Sequence, residues 1–459
     1  MILLLCTVLS GAMFYLSQGA DNVWWLAWFA PVPLLWLAYG QTRPRLVFAA
    51  AIAADAMSQI YAVQAYGLLL WETVLFFTLG NGVLFAAAVL FARHIQRTLP
   101  AAAALFAFPV LWTGIEYLES LVSPHGAWGA LGYSQVSFPA AIQVASLLGL
   151  CAVSFTLCLF ANAVALAARG SRLAGAAGIA LCAASIAFGL ARLAAPQAGT
   201  VRVVALADEG RAYRKAFHTS DVTAALAVTR EYAGAVRTEA HHGARVFVTP
   251  EGGIVMKHAD RGAVLAPLAA AARDTGSIIV SGALLHAPER DMAFAFMPDG
   301  RVLEYDKRHL LLPLEARYTP GRAPGLLGDG RAMAICKDMD FPRTIRADAQ
   351  NGIRLMAVPA GDFAQDDWIH ARQAIMRGVE NGFAMTRSAF NGLETVSDAQ
   401  GRVLASARID RAGLIVTRAD VPLGEPTLYT RIGDVFAWAC VAGALGLAAW
   451  AFRKRTAPA

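Results

Sequence analysis

Residues 331–342 read RAMAICKDMDFP, and Cys336 is the one cysteine of six that lies outside the long apolar stretches. A thiol attacks well only once it has lost its proton, and its ordinary pKa is about 8.5. Two residues at the ends of predicted strands could supply what it lacks. Glu251 closes RVFVTPE (245–251) and can take the proton as general base. Lys307 closes RVLEYDK (301–307) and can favour both a thiolate and the oxyanion formed when sulfur attacks a carbonyl. Each residue also has a plainer reading. A cysteine is often a small core hydrophobe, Glu251 before Gly252-Gly253 can cap a turn, and Lys307 in DKRH can face solvent. Three such residues at carboxyl ends of strands, where α/β folds place ligands, favour the chemical reading.

The elements that must hold these residues occupy part of the chain. Of 459 residues, 57% are hydrophobic and 16% charged, against about 25% charged in soluble proteins, so some of the chain belongs in lipid. The apolar excess is confined to 1–195 and 428–452, whereas 200–425 alternates like a water-facing domain. A bilayer core of about 30 Å needs roughly 20 apolar residues per helix. Seven such runs, 2–18, 23–39, 45–64, 67–92, 102–120, 138–168 and 172–192, come first, and an eighth, 432–452, follows the polar stretch. The expected organisation is a transmembrane bundle in 1–195 with about seven helices, a catalytic domain in 196–427, and a closing helix with its tail in 428–459. Arg43 and Arg45, Arg93 and Arg97, Arg169 and Arg172, and Arg453 with Lys454 follow alternate runs, while Asp21, or Glu116 and Glu119, mark the opposite ends. The alternation predicts cytoplasmic termini and places the polar domain across the membrane. Met1 leads directly into Ile-Leu-Leu-Leu without a basic segment, which disfavours a cleaved signal peptide.

Within the polar stretch, β-rich runs at 201–207, 245–251, 277–285, 292–298, 301–307, 331–336, 354–360, 383–390, 393–398 and 413–420 alternate with helical patterns near 220–240, 262–274 and 366–382. This order predicts a layered α/β fold. GRAPGLLGDG (321–330) reads as a surface loop. In the helical part, SPHGAWGALGYSQ (123–135) reads either as an aromatic belt or as a close-packed, re-entrant segment. The net charge of +6 lies largely at the ends of apolar runs, without a basic-aromatic stretch, so no nucleic acid is expected as partner. No Cys/His spacing suggests a metal.

VTPEGG, YDKRHLLLPLE and AICKDMDFP, in that order, resemble the Glu-Lys-Cys signature of the nitrilase (carbon–nitrogen hydrolase) superfamily, as does WIHARQAIMRGVENGFAMTRSAFNG (368–392). GAWGALGYSQ with GLCAVSF (149–155), and TLYTRIGD (427–434), are similar to the apolipoprotein N-acyltransferase family over essentially the whole chain. The resemblance implies an α-helical transmembrane bundle of about eight helices joined to an αββα sandwich. It implies Glu251 as base, Lys307 at the oxyanion, Cys336 as nucleophile and Glu315 as a second, site-completing glutamate. Glu315 could otherwise simply pair with Arg317 or Arg322. Asp338 is implied in support, with Trp128 and Tyr133 at the substrate. Further implications are a phospholipid acyl donor, a lipoprotein acceptor, no cofactor or metal, and a monomer. The implied location is the bacterial inner (cytoplasmic) membrane, with a periplasmic catalytic domain. This chain departs from the family in three places. Lys337 and Asp338 replace an aromatic and a glutamate after the cysteine, the connection from Lys307 to Cys336 is short, and AGDFAQDD (360–367) replaces an Asn-Asp-Ala-Trp-like segment. The rival expectations are a membrane-tethered amidase, a catalytically silent lipid binder and a transporter.

Overall fold

The computed structural model describes residues 1–197, 199–409 and 413–456. Two compact units emerge. The first comprises Met1–Ser123, Ala127–Ala195 and Ile432–Ala459, and the second Pro124–Gly126 with Pro196–Arg431.

The first unit is helical. Among the described residues, six helices are long and apolar enough to cross a membrane: Pro44–Gln64, Thr78–Thr98, Ala101–Val122, Leu150–Ala168, Arg172–Ala194 and Val435–Lys454. The difference from eight apolar runs has local causes. Ile2–Gln18 has 17 residues, about 26 Å of helix, which falls short of the bilayer core. The run 23–39 breaks at Ala30–Pro31 into Leu26–Phe29 and Val32–Tyr39. The run 138–168 breaks at Gly149, whose φ of 79° no helix continues through. Conversely, no break separates 64 from 67, because one helix runs from Ile60 to Thr98. Inside this unit Asn162 Nδ2 donates to the carbonyls of Ala104 and Leu105 at 2.9 and 2.8 Å, joining two helices through a buried amide. The segment 123–135 is close-packed. Leu131–Ser137 forms a tight 3₁₀ turn, with Leu131 N donating to Glu116 Oε1 at 2.9 Å and Gly132 N to Ser154 Oγ at 3.0 Å.

The second unit is a four-layer sandwich of two six-stranded sheets. Its strands are β1 (Thr200–Asp208), β2 (Val246–Lys257), β3 (Ile278–His286), β4 (Arg290–Phe296), β5 (Val302–Asp306), β6 (Gly325–Gly328), β7 (Arg331–Met333), β8 (Leu355–Gly361), β9 (Ala384–Phe390), β10 (Leu393–Ser397), β11 (Val403–Arg408) and β12 (Leu414–Pro422). One sheet has the order β12-β1-β2-β3-β4-β5 and the other β11-β10-β9-β8-β7-β6. Each has three parallel central strands, β1-β2-β3 and β7-β8-β9, flanked by antiparallel ones. Central parallel strands lie between two covered faces, and this is why they read as unbroken apolar runs. The inner faces interdigitate through Val248, Val280, Ala293 and Tyr305 on one side and Met333, Ile335 and Ala357 on the other. Helices Val222–His241 and Arg261–Thr275 cover the outer face of the first sheet, and Asp367–Asn381 packs on β9 and β10 of the second.

The stretch expected as a loop at 321–330 instead contributes β6, hairpinned to β7. Asp329 and Gly330 carry the turn at φ 50° and 71°, the left-handed pair that a tight hairpin demands. Strand β7 also stops at Met333, before the cysteine, and β2 continues beyond Glu251.

Candidate active site

Glu251 sits inside β2, at an irregularity where pairing with β3 shifts between Thr249 and Ile254. The extra residues of this bulge turn the Glu251 side chain out of the ladder, while Gly252 at φ 61° absorbs the kink. Gly282 on β3 lets the bulge approach, since a Cβ there would stand 2.3 Å from Pro250 O.

Lys307 follows β5 directly, and its side chain is 2% exposed. Its Nζ donates to Glu251 Oε1 at 2.5 Å and to Glu315 Oε1 at 2.6 Å, and lies 3.5 Å from Asp291 Oδ2. Burial works against this charge, but Glu251, Asp291 and Glu315 outweigh it and hold the ammonium well above its usual range. The carboxylate oxygens of Glu251, Asp291 and Glu315 lie within 4.8 Å of one another. Such a cage could suit a metal, yet here the lysine supplies the cation. Glu315 is fixed by a second bond, with Leu311 N donating to its Oε2 at 2.7 Å. Of its two sequence readings, partner of a nearby arginine or member of the site, the geometry joins it to Lys307.

Cys336 opens the short 3₁₀ turn Cys336–Asp340 at φ 38°, a left-handed conformation unusual for a residue with a side chain. Its Sγ donates to Gly361 O at 3.3 Å, and it couples electrostatically to Glu251 and Lys307. Burial, reinforced by Glu251, pushes the thiol well above its ordinary value, despite the opposing pull of Lys307 and Arg387. A thiol shifted in this direction holds its proton more tightly than a free cysteine does, which makes a nearby base the more useful to it. Lys337, adjacent in sequence, does not serve the sulfur. Its Nζ lies 3.1 Å from His125 Nδ1 and 3.5 Å from Asp340 Oδ2, and burial followed by this lysine pushes His125 down to about 4.

Asp338 stitches the lysine and cysteine segments together. Its Oδ1 accepts from Arg308 N, His309 N and His309 Nδ1 at 3.1, 2.9 and 3.0 Å, and its Oδ2 accepts from Tyr305 Oη and Ile335 N at 2.6 and 3.0 Å. Burial alone would raise its pKa, but His309 and Tyr305 hold it below the usual carboxylate range. On the second sheet Arg387 is buried and forms a two-pronged pair with Asp362, next to the Gly361 carbonyl that receives the thiol.

Lys307 thus gathers Glu251 and Glu315 by direct bonds, Cys336 meets Gly361, where a Cβ would stand 3.6 Å from Glu251 Oε2, and Asp338 ties the lysine and cysteine segments. Trp128 and Tyr133 belong to the helical unit, where Trp128 lies 6.2 Å from the Tyr61 ring and Tyr133 is buried. Sequence reasoning missed Asp291 and Arg387. Arg387 left a trace, as a lone cation within the apolar strand FAMTRSAF.

Residues 10–163 match the apolipoprotein N-acyltransferase N-terminal domain, and residues 179–430 match the carbon-nitrogen hydrolase domain. An apolipoprotein N-acyltransferase of Geobacter metallireducens is 28% identical over 521 residues, covering 98% of this chain and 96% of the relative. One of Vibrio vulnificus is 25% identical over 506 residues, covering 97% and 96%. The crystal structure of an amidase from Nesterenkonia sp. overlaps 52% of this chain and 95% of its own, at 22% identity and a TM-score of 0.43.

Proposed function

Because the chain belongs to the carbon-nitrogen hydrolase family, we propose that it is a membrane-bound N-acyltransferase working through a thioester on Cys336. The acyl donor is a phospholipid, and the acceptor is the terminal amine of a diacylglyceryl-cysteine lipoprotein. Glu251 takes the Cys336 proton as the sulfur attacks the ester carbonyl. Lys307 and neighbouring backbone amides stabilise the oxyanion. The lysophospholipid leaves with the proton from Glu251. The amine then attacks the thioester, Glu251 receives its proton, and the thiol is restored. Ester to amide runs downhill, so the exchange requires neither a nucleotide nor a metal, and ping-pong kinetics follow.

The observation that carries this reading is the union of two things in one chain. A helical region matches the acyltransferase N-terminal domain, and a second unit brings the Cys336 thiol to the Gly361 carbonyl, by a buried carboxylate–ammonium cage. The arginine alternation along the apolar runs supports cytoplasmic termini and, with them, a catalytic domain on the periplasmic side of the inner membrane. A site there is remote from cytoplasmic acyl thioesters, which favours a lipid ester as donor. Trp128 and Tyr133, from the close-packed segment 123–135, are assigned to substrate contact.

The test is mass spectrometry of the purified protein in phospholipid bilayers, followed by addition of a lipid-modified amino-terminal peptide. The expected result is one acyl chain on Cys336, discharged to the peptide as an amide. Acyl-enzyme persisting in Cys336→Ala would overturn the thioester, and release of free fatty acid alone would make the protein a hydrolase.

A further inference from the structure

We propose that Asp291 and Glu251 share one proton, held on Asp291, so that Asp291 acts as a positioning residue that keeps the base ionised and correctly aimed. This inference rests on the reading of Glu251 as the base. Asp291 lies at the start of β4 with its side chain 2% exposed. One of its carboxyl oxygens lies within 4.8 Å of one from Glu251 and one from Glu315, an approach that three ionised carboxylates out of water oppose and that a shared hydrogen relieves. Among the described residues no N–H or O–H reaches its Oδ1.

The charge count leads to the same place. The groups facing Asp291 are Glu251 from β2, Lys307 after β5, and Glu315 and Tyr318 from the following loop. Glu251 also faces Cys336 and Tyr213. Lys307 is the single cation in this set, against three carboxyl groups. Like charges packed together out of water are relieved by protonating one of them. Lys307 makes its short bonds to Glu251 and Glu315, at 2.5 and 2.6 Å, and stands off from Asp291 at 3.5 Å. Asp291 is therefore the group that keeps the proton. Burial first, and then Glu251, hold its carboxyl well above the usual range. A neutral donor aimed at Glu251 stabilises the carboxylate form and fixes the side chain that must meet the thiol.

The experiment follows alkylation of Cys336 by iodoacetamide in the full chain in detergent, located by peptide mass spectrometry, as pH is lowered. A carboxamide donates the same hydrogen bond as a protonated carboxyl. Asp291→Asn should thus keep the rate within about threefold and leave the acid limb where it is. Asp291→Ala should slow the reaction by about tenfold, the worth of one hydrogen bond to a charged group, and move the limb to higher pH. If Asp291→Asn moves the limb to lower pH, or slows alkylation as much as Asp291→Ala, Asp291 is ionised and the proposal is wrong. Asp291→Asn decides the matter even where the alanine variant does not fold. Glu251→Gln is read separately: an unchanged acid limb there removes Glu251 as the base, whatever Asp291→Asn does.

Discussion

Gly282 of β3 lies so close to Glu251 of β2 that a Cβ on the glycine would stand 2.6 Å from the Glu251 Cα. The neighbouring backbone, and not a flexible side chain, is what it would strike, so the bulge would have to move. Gly282→Ala should cut kcat/KM at least about 100-fold, the effect of roughly 1 Å of misplacement at a reacting group. Overpacking should lower stability by about 1–3 kcal/mol while circular dichroism keeps its native shape. A Gly282→Ala protein with unaltered turnover would show that the bulge does not position Glu251.

Lys307→Met strands Glu251 and Glu315 without their shared cation. Breaking a buried ion pair from one side costs about 3–5 kcal/mol, and activity should vanish with it. Lys307→Met combined with Glu315→Gln should regain part of the stability and none of the turnover. Urea midpoints and an acyl-transfer assay, measured together, separate the two effects.

Asp338→Asn turns an amide donor toward backbone and side-chain donors that the carboxylate now receives. We expect a loss of about 2 kcal/mol or more for the unsatisfied buried groups, and a fall in kcat larger than any rise in KM. A variant with native stability and kcat would show that Asp338 does not hold the lysine and cysteine segments together.

His370 Nε2 lies 2.9 Å from Asp366 Oδ2. Burial alone would lower its pKa, but Asp366, Asp340 and Asp362 overcome it and raise the imidazole from 6.5 to about 9. A pKa raised by folding means that the folded state holds the proton longer. Its stabilisation is therefore complete below 6.5 and is lost as pH rises through about 9. Thermal unfolding should show this decline, and His370→Gln should flatten it. A decline unchanged in His370→Gln would assign it to another group.

The layered fold was legible because its central strands are covered on both faces and leave continuous apolar runs. Of the edge strands, β5 and β12 were read but β6 and β11 were not. β6 is short and half-exposed, though the Asp329-Gly330 pair beside it was a usable hairpin signal. At the site, Glu251, Lys307 and Cys336 could be read because their residue types carry the chemistry. Asp291 could not, since HAPERD (286–291) looks like a charged turn, and only strand pairing reveals that the last residue points inward. Lys337 and Asp338 face His125 and His309 in space, leaving burial to dominate the thiol. The helix count differed because apolarity registers neither the shortness of Ile2–Gln18 nor the break at Pro31 that divides 23–39.

Glu251 and Lys307 ride on one sheet, while Cys336 and Gly361 ride on the other. Each sheet is internally laced by ladder bonds, but what joins them face to face is the fit of greasy side chains and a few cross-links such as those of Asp338. Loss of specific packing at that seam can leave both ladders standing. The protein should accordingly fall silent at a temperature where its strands and helices are still intact, with cooling restoring its activity.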